Sequence, residues 1–345
     1  MRIAITFNLI TGKLLENSRV DTIAELDNMT TINAIKKSLE SAGHTAFGLN
    51  CNDDAYGRLY KMRKKIDMVF NIFEGLKGES RESQVPAMLE MMQIPYTGSD
   101  PLSLALCLDK VMTKEILIYH GIPTPKFQVF SSGNEKIDSG MKFPMICKLI
   151  HEGSSKGMSK KSVVENESEL RKQVKFLLAE YREDILVEEF IEGTEYSIGI
   201  IGNGEKIKVL PITERFYLNP KAIALFEPDE AVIPLLKKMH KKYLLEQKGQ
   251  GGVRPAQISK KLEEELKKMA VDSYNACNCR DWCRMEIRMN RKTGKLYIIE
   301  LNPIAGIDPS YILPKQANLA GMSYADLINA IVNFASERYR LKRNL

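Results

Sequence analysis

Two β-prone segments that flank a short turn constrain the fold more than any other part of the sequence. Residues 283–289 and 295–301 lie on either side of residues 290–294, Asn-Arg-Lys-Thr-Gly, whose composition is typical of a hairpin turn. A turn centred near residue 293 pairs Glu286 with Glu300. Because like charges directly opposite each other destabilise a β-ladder, this register needs a compensating group.

One face of this hairpin predicts a cation site. Arg284 shares a face with Glu286, and Asn302 shares one with Glu300, because alternate residues of a strand point to the same side. Two carboxylates and a carboxamide supply the oxygen ligands that Mg²⁺ takes together with substrate phosphates. A solvated face with Arg284 and Arg288 as counter-charges explains the same spacing, and spacing alone does not choose between the two interpretations.

Two earlier segments have the composition of nucleotide-binding loops. Residues 152–157, EGSSKG, follow a β-prone segment that carries Lys148, and small residues expose backbone N–H groups that can cradle phosphate. Neither G-x-x-x-x-G-K-[ST] nor G-x-G-x-x-G is present, and a surface turn is the alternative. Residues 187–195, VEEFIEGTE, fit either an edge strand or a hinge that binds an adenine edge while a glutamate holds ribose hydroxyls.

The remaining pattern predicts an α/β start followed by an α+β region with antiparallel ribbons. Residues 2–7 and 66–70 have the pattern of strands, and the helical spacing of apolar residues between them favours a parallel arrangement. Helices are expected at 102–120 and 260–277. The Gly-Asn-Gly sequence at 202–204 predicts a second hairpin, whose strands are 196–201 and 206–212.

Together these segments resemble the ATP-grasp superfamily and, within it, the D-alanine–D-alanine ligases. The resemblance covers about residues 65–335 and includes LDKVMTK at 108–114, IPYTGS at 94–99 and LAGMSY at 319–324. It implies a three-domain ATP-grasp fold. The domains would be a Rossmann-like α/β domain at 1–99, a central ATP-binding lobe at 100–186 and a C-terminal catalytic lobe at 187–345.

The resemblance also implies a role for each motif residue. The nucleotide-binding residues would be Lys110, Lys148, Ser154, Ser155, Glu188, Phe190, Ile191 and Glu195. The Mg²⁺ ligands would be Glu286, Glu300 and Asn302. The catalytic groups would be Arg284 and the Gly306 N–H at the oxyanion, with Ser154, Lys242 and Tyr243 in the phosphate loop and the mobile lid. The substrate residues would be Glu25, Glu74, Asp308 and Tyr311.

Departures from the family pattern concentrate on the substrate side. The family's A-L-H-G reads Ile-Phe-Glu-Gly at 72–75, so Glu74 replaces a histidine, and Tyr311 replaces a serine. Glu189 replaces a lysine. The N-terminal glycine-rich signature is missing, so the assignment of Glu25 rests on the pair Ala24-Glu25 alone. These changes leave the nucleotide half intact and place D-alanine for both substrates in doubt.

The sequence therefore predicts an ATP-dependent carboxylate–amine ligase that works through an acyl phosphate and uses a substrate pair other than two D-alanines. The alternatives are a D-alanine–D-alanine ligase of cell-wall synthesis, an ATP-grasp phosphotransferase and a non-catalytic nucleotide-binding module. The cofactors implied are ATP and two Mg²⁺ ions, with Mn²⁺ as a substitute. The implied partners are small-molecule substrates and a second copy of the chain in a homodimer.

Composition agrees with this interpretation. The 345 residues carry a net charge of +6, a mild excess that suits anionic substrates and is weak evidence for nucleic acid. No apolar run approaches the roughly 18–20 residues of a membrane span, and the N-terminus lacks the pattern of a signal peptide. We therefore expect a cytoplasmic protein with no membrane or nucleic-acid partner. Six cysteines are then expected to be free thiols, and the C-x-C-x-x-x-C spacing at 277–283 lacks a second set for zinc.

Overall fold

The computed structural model describes residues 1–9, 26–52, 54–217, 223 and 251–341, with side chains at all of these except 216, 217 and 251. The described residues form three β-sheets with helices packed against them. Within these residues no helix is both long enough and apolar enough to cross a membrane. The mixed helix-and-sheet architecture agrees with the fold class expected from the sequence.

The first sheet is parallel and has the strand order β2-β1-β3. Its elements are β1 (Arg2–Phe7), α1 (Met29–Ser41), β2 (Thr45–Asn50), α2 (Ala55–Met62), β3 (Met68–Asn71) and α3 (Gln84–Met91). Helix α1 begins at Asn28, whose side chain accepts a hydrogen bond from the Thr31 N–H, and it buries Ile32, Ile35 and Leu39. The predicted parallel α/β start is present.

The long helix expected at 102–120 is in fact two helices, and this prediction was wrong in that respect. They are α4 (Pro101–Leu108) and α5 (Lys110–Tyr119), separated by Asp109 in an extended conformation. The Asp109 carboxylate accepts hydrogen bonds from the N–H groups of Val111 and Met112. An N-cap therefore restarts the helix at Lys110, which places this lysine in the first turn.

The second sheet is antiparallel and has the order β4-β7-β5-β6. It comprises β4 (Phe127–Phe130), β5 (Met145–Leu149), β6 (Val163–Val164) and β7 (Ile185–Glu189), covered by α6 (Glu167–Tyr181). A core of buried side chains lies between α6 and the sheet. The loop that carries EGSSKG connects β5 to β6.

The third sheet carries both predicted hairpins and has the order β11-β10-β8-β12-β13, with β9 paired to β8. Its strands are β8 (Gly193–Ile201), β9 (Lys208–Val209), β10 (Thr213–Tyr217), β11 (Gly251–Pro255), β12 (Trp282–Asn290) and β13 (Leu296–Asn302). The helices are α7 (Lys260–Ala276), α8 (Ile312–Leu319) and α9 (Tyr324–Arg338). A 3₁₀ turn at 204–206 leaves β9 shorter than the 206–212 strand expected.

One buried carboxylate joins distant parts of the chain. Asp281 accepts hydrogen bonds from the Gly98 N–H at 2.7 Å, from the Asn203 amide at 2.7 Å and from the Arg338 guanidinium at 2.8 Å. Its side chain has no exposed surface. The end of the first α/β segment, the β8–β9 turn and the last helix thus meet at one residue.

The limits of the three domains stay a prediction. The last strand of the first sheet, β3, ends at Asn71. Strand β7 spans the predicted limit between 186 and 187 and pairs wholly within the second sheet.

Candidate active site

One cavity of about 820 Å³ collects the predicted residues. Its walls come from the first α/β segment, the second sheet, the third sheet and the segment that leads into α8. Every predicted site residue within the described ranges lines it: Glu74, Lys110, Lys148, Ser154, Ser155, Glu188, Phe190, Ile191, Glu195, Arg284, Glu286, Glu300, Asn302, Gly306, Asp308 and Tyr311. The fold thus brings these residues together, and their individual roles stay predictions. Glu25, Lys242 and Tyr243 lie outside the described residues.

The hairpin of β12 and β13, here called the acidic ribbon, has the register predicted from its turn. Glu286 is paired with Glu300 and Arg284 with Asn302 across β12 and β13, with a bulge after Glu286. One oxygen of Glu286 accepts hydrogen bonds from the Ser197 hydroxyl at 3.1 Å and from Arg284 Nε at 3.0 Å. The side chains of β12 alternate between the core and the cavity, and Arg284 and Glu286 line the cavity together with Glu300 and Asn302 of β13.

The charge around Glu286 fits a divalent cation. Burial, together with the negative charges of Glu195 and Glu300, raises the pKa of Glu286 to about 7, although Arg284 opposes the shift. Two facing carboxylates and the Asn302 carboxamide form a hard oxygen donor set of the kind that Mg²⁺ takes. A dication placed there would remove the repulsion that raises this pKa.

A buried ion cluster holds Lys148, one of the two lysines predicted to bind phosphate. Glu188 is 1% exposed and forms ion pairs with Lys148 and with Lys114, the latter at 2.6 Å. Burial alone would raise the pKa of the Glu188 carboxyl, but the two lysines hold it at about 2. Lys114 was not among the predicted site residues. Its position four residues after Lys110, one helical turn along α5, is the signal that could have identified it.

The phosphate-loop segment is tied to the first α/β segment. Ser154 and Ser155 have positive φ angles of 49° and 59°, which turn the loop sharply. Arg81 donates to the His151 carbonyl at 2.7 Å and to Glu152 Oε2 at 2.9 Å. The ammonium of Lys110 donates to the Glu152 carbonyl. The start of the loop is therefore fixed by cations from two other elements.

The hinge segment at 190–195 lies against β12. Arg288 donates to Glu195 Oε2 at 2.9 Å and to the Ile191 carbonyl at 3.1 Å, and its guanidinium lies 4.9 Å from the centroid of the Phe190 ring. Arg215 on β10 lies 3.6 Å from the other oxygen of Glu195. Arg288 is only 4% exposed, so it is not part of a solvated face. Sequence pattern alone did not identify the contacts of Arg288 with the hinge segment.

The opposite end of the cavity is acidic. Asp308 accepts hydrogen bonds from the hydroxyls of Thr31 and Ser310, each at 2.6 Å. Burial raises the pKa of the neighbouring Asp27 to about 8, and the charge of Asp308 adds to the shift, while the Asn8 N–H opposes it. Glu74 lines the same cavity. Asp27 and Thr31 were missed because only packing of α1 against the 302–311 segment brings them here.

Tyr311 lies directly over Gly306. A Cβ atom at 306 would be 2.5 Å from Cδ2 of the Tyr311 ring, so a side chain there would displace the ring. The residue that replaces the expected small hydroxyl thus covers the backbone that is predicted to face the oxyanion.

The cysteines lie away from this cavity. All six are buried free thiols, and burial raises the pKa of Cys51 and of Cys147 to about 12. Within the described ranges, no group of three or more His, Cys, Asp or Glu side chains has the geometry to hold a metal ion. The acidic ribbon, by comparison, offers two carboxylates and an amide.

Comparisons with known proteins agree with the resemblance. The family model described as D-ala D-ala ligase C-terminus matches residues 116–333. The chain is 38% identical over 272 residues to the uncharacterized protein y4sG of Sinorhizobium fredii. This alignment covers 79% of this chain and 75% of that relative. It is 32% identical over 303 residues to the D-alanine–D-alanine ligase of Ectopseudomonas mendocina, covering 87% of each.

The fold is similar to that of a solved D-alanine–D-alanine ligase from Bacillus anthracis. The two structures give a TM-score of 0.76 at 22% identity and cover 99% of each chain. At this level of identity the similarity concerns the fold alone.

Proposed function

Because the chain belongs to the D-alanine–D-alanine ligase family of ATP-grasp enzymes, we propose that it joins a carboxylate substrate to an amine substrate in a pair other than two D-alanines. The general reaction follows from the family: the chain is an ATP-dependent ligase that forms a C–N bond. The family uses ATP and Mg²⁺. The choice of substrates, two metal ions and a homodimer belong to the proposal.

One observation carries the assignment of the reacting centre. Glu286 and Glu300 face each other across the ribbon beside Arg284, in the same cavity as Lys110 and Lys148. A carboxylate oxygen of the first substrate attacks the γ-phosphorus of ATP, the bond to the β-phosphate oxygen breaks, and ADP leaves. The amine then attacks the acyl carbon, loses a proton and expels phosphate. Glu286, Glu300 and Asn302 would hold Mg²⁺, which would supply positive charge to neutralise the phosphates.

The chain's own groups position the reactants and stabilise charge. Lys110 and Lys148 face the phosphates, Ser154 and Ser155 supply the loop over them, and Glu195 accepts from the ribose hydroxyls. Arg284 and the Gly306 N–H stabilise the oxyanion of the tetrahedral intermediate. Since no protein nucleophile takes part, catalysis depends on alignment and on the exclusion of water from the acyl phosphate.

The lining of the substrate end supports a different substrate pair. Glu74 and Asp308 place carboxylates at this end, and Tyr311 takes space above Gly306. A carboxylate attracts an ammonium or guanidinium group and disfavours another carboxylate. We therefore expect Glu74 to contact a cationic or hydroxyl group on one substrate.

The test is a screen of amino-acid pairs for phosphate release and for the peptide product. The purified protein should release phosphate with a pair that includes a cationic or hydroxylated partner faster than with D-alanine alone. Glu74→His and Tyr311→Ser, singly and together, should shift the preference toward D-alanine. Preference of the unmodified protein for two D-alanines over all other pairs would refute the proposal and indicate the cell-wall ligase.

The same assay separates a ligase from a phosphotransferase. A ligase requires an amine for rapid product formation, whereas a phosphotransferase releases ADP with one non-amine acceptor. ADP release at full rate without any amine would contradict ligase activity.

A further inference from the structure

Arg288 makes three contacts to the hinge segment at once. Its Nε atom donates to the Glu195 carboxylate, its Nη1 atom donates to the Ile191 carbonyl, and its guanidinium lies over the Phe190 ring. Arginine suits such a position because its planar group can stack and donate in fixed directions at the same time. One side chain therefore fixes the relative placement of the three hinge residues predicted to surround the nucleoside.

The hinge is otherwise attached to β12 through the backbone. The Arg291 N–H donates to the Glu192 carbonyl at 2.9 Å. A Cβ at Gly193 would lie 1.8 Å from the Met289 carbonyl oxygen, which means that the two backbones are in close contact there. These contacts hold the turn at 192–193 but do not orient the Glu195 side chain, which points into the cavity.

The Glu195 carboxylate lies in the cavity wall between two guanidinium groups. Arg288 Nε donates to one of its oxygens, and Arg215 Nε lies 3.6 Å from the other. A carboxylate oxygen that binds a guanidinium can accept a further hydrogen bond, since a carboxylate has about four acceptor positions. This geometry suits a pair of neighbouring hydroxyls.

We infer that Arg288 is a positioning residue for nucleotide selection: it holds Glu195 so that the enzyme distinguishes a ribonucleotide from a deoxyribonucleotide. The inference rests on the proposed nucleotide site and concerns a residue of β12 rather than the hinge itself. Loss of Arg288 should relax this selection more than it weakens binding of the triphosphate, because the lysines that face the phosphates are untouched.

The experiment measures binding of ATP and of 2′-deoxy-ATP by calorimetry, without amino-acid substrates. The unmodified protein should bind ATP more tightly by about tenfold, the value of one hydrogen bond to a charged group. Arg288→Met should reduce this ratio to less than about threefold. Arg288→Lys keeps the charge but not the two-directional donation, and should give an intermediate ratio.

Arg171→Met is the matched control, since Arg171 pairs with Glu167 on α6 and does not line the cavity. The ratio of its affinities for ATP and for 2′-deoxy-ATP should equal that of the unmodified protein. If Arg288→Met does not fold, Arg288→Lys decides the question. An unchanged ratio in the folded variants, or no preference for ATP in the unmodified protein, would overturn the inference.

These outcomes are separate from failure of the proposed ligase reaction. A protein that selects ATP through Arg288 but makes no peptide would contradict only the proposed function. A protein that forms peptide with both nucleotides equally would contradict only the inference.

Discussion

Two side chains in the cavity, Glu300 and Lys148, differ in how the structure holds them. Glu300 lies opposite Glu286 and faces the cavity, so its carboxylate is available to a cation. Lys148 instead pairs with the buried Glu188, which fixes the direction of its ammonium. The two residues should therefore fail in different ways when they are truncated.

Glu300→Ala should abolish turnover while the melting temperature changes little, because no other carboxylate replaces it in the predicted Mg²⁺ site. Lys148→Ala should mainly raise the KM for ATP. Steady-state kinetics at saturating Mg²⁺, with thermal unfolding as the check on folding, distinguishes the two. Near-native turnover by Glu300→Ala would show that the metal assignment is wrong.

Residue-scale geometry was predictable where it depends on short-range periodicity. The pairing of Glu286 with Glu300 follows from the centre of one turn and the two-residue repeat of a strand. The spacing from Lys110 could have pointed to Lys114, but the partners of Lys114 and Arg288 depend on which elements lie next to each other in space. No local pattern specifies that a buried glutamate of β7 meets α5, or that β12 supports the hinge.

One ion pair joins the segment before α3 to the loop after β5, which is predicted to cover the phosphates. Arg81 comes from the segment before α3 and is 3% exposed, while its partner Glu152 follows β5. Lys156 also reaches Glu152 Oε2 at 2.9 Å. The loop start is therefore held by a partly buried ion pair whose two members follow strands of different sheets.

Arg81→Gln should raise the KM for ATP by about tenfold and show a coupling of about 1–3 kcal/mol with Glu152→Gln in a double-mutant cycle on unfolding free energy. The exposed pair Arg171–Glu167 on α6 is the control. A double-mutant cycle on this pair should give a coupling energy of no more than about 0.5 kcal/mol. A coupling equal to that of the control would mean that Arg81 does not hold the loop.

At the element scale, the sequence predicted strands and helices better than their ends. The break between α4 and α5 was missed because apolar spacing continues through it, yet Asp109 before Lys110 is an N-cap signal. The α/β start and both hairpins were found. The order of the strands in the third sheet was not predicted, because β8 lies between strands that are distant in sequence.

For the whole molecule, Asp281 is the point where remote segments are joined. It is fully buried, and its backbone N–H also donates to the Asn203 side chain at 2.9 Å. Its ion pair with Arg338 connects the final helix to the turn before β12. Removal of this carboxylate leaves a largely buried guanidinium without its counter-charge.

Asp281→Ala should lower the free energy of unfolding by about 3–5 kcal/mol. Denaturant unfolding followed by circular dichroism measures this. Asp272→Ala is the control, because Asp272 forms an exposed i, i+4 pair with Lys268 and should change stability by less than about 0.5 kcal/mol. Equal effects of the two substitutions would mean that the junction at Asp281 adds little to stability.

The bond between Arg81 and Glu152 also limits how relatives of this enzyme can be recombined. A chimaera that takes residues 1–99 from one parent and the remainder from another would separate the two members of this pair. If the new N-terminal part lacks the arginine, Glu152 keeps Lys156 but loses its partner across the junction. Exchange of substrate preference by segment transfer should therefore succeed most readily between parents that share both residues.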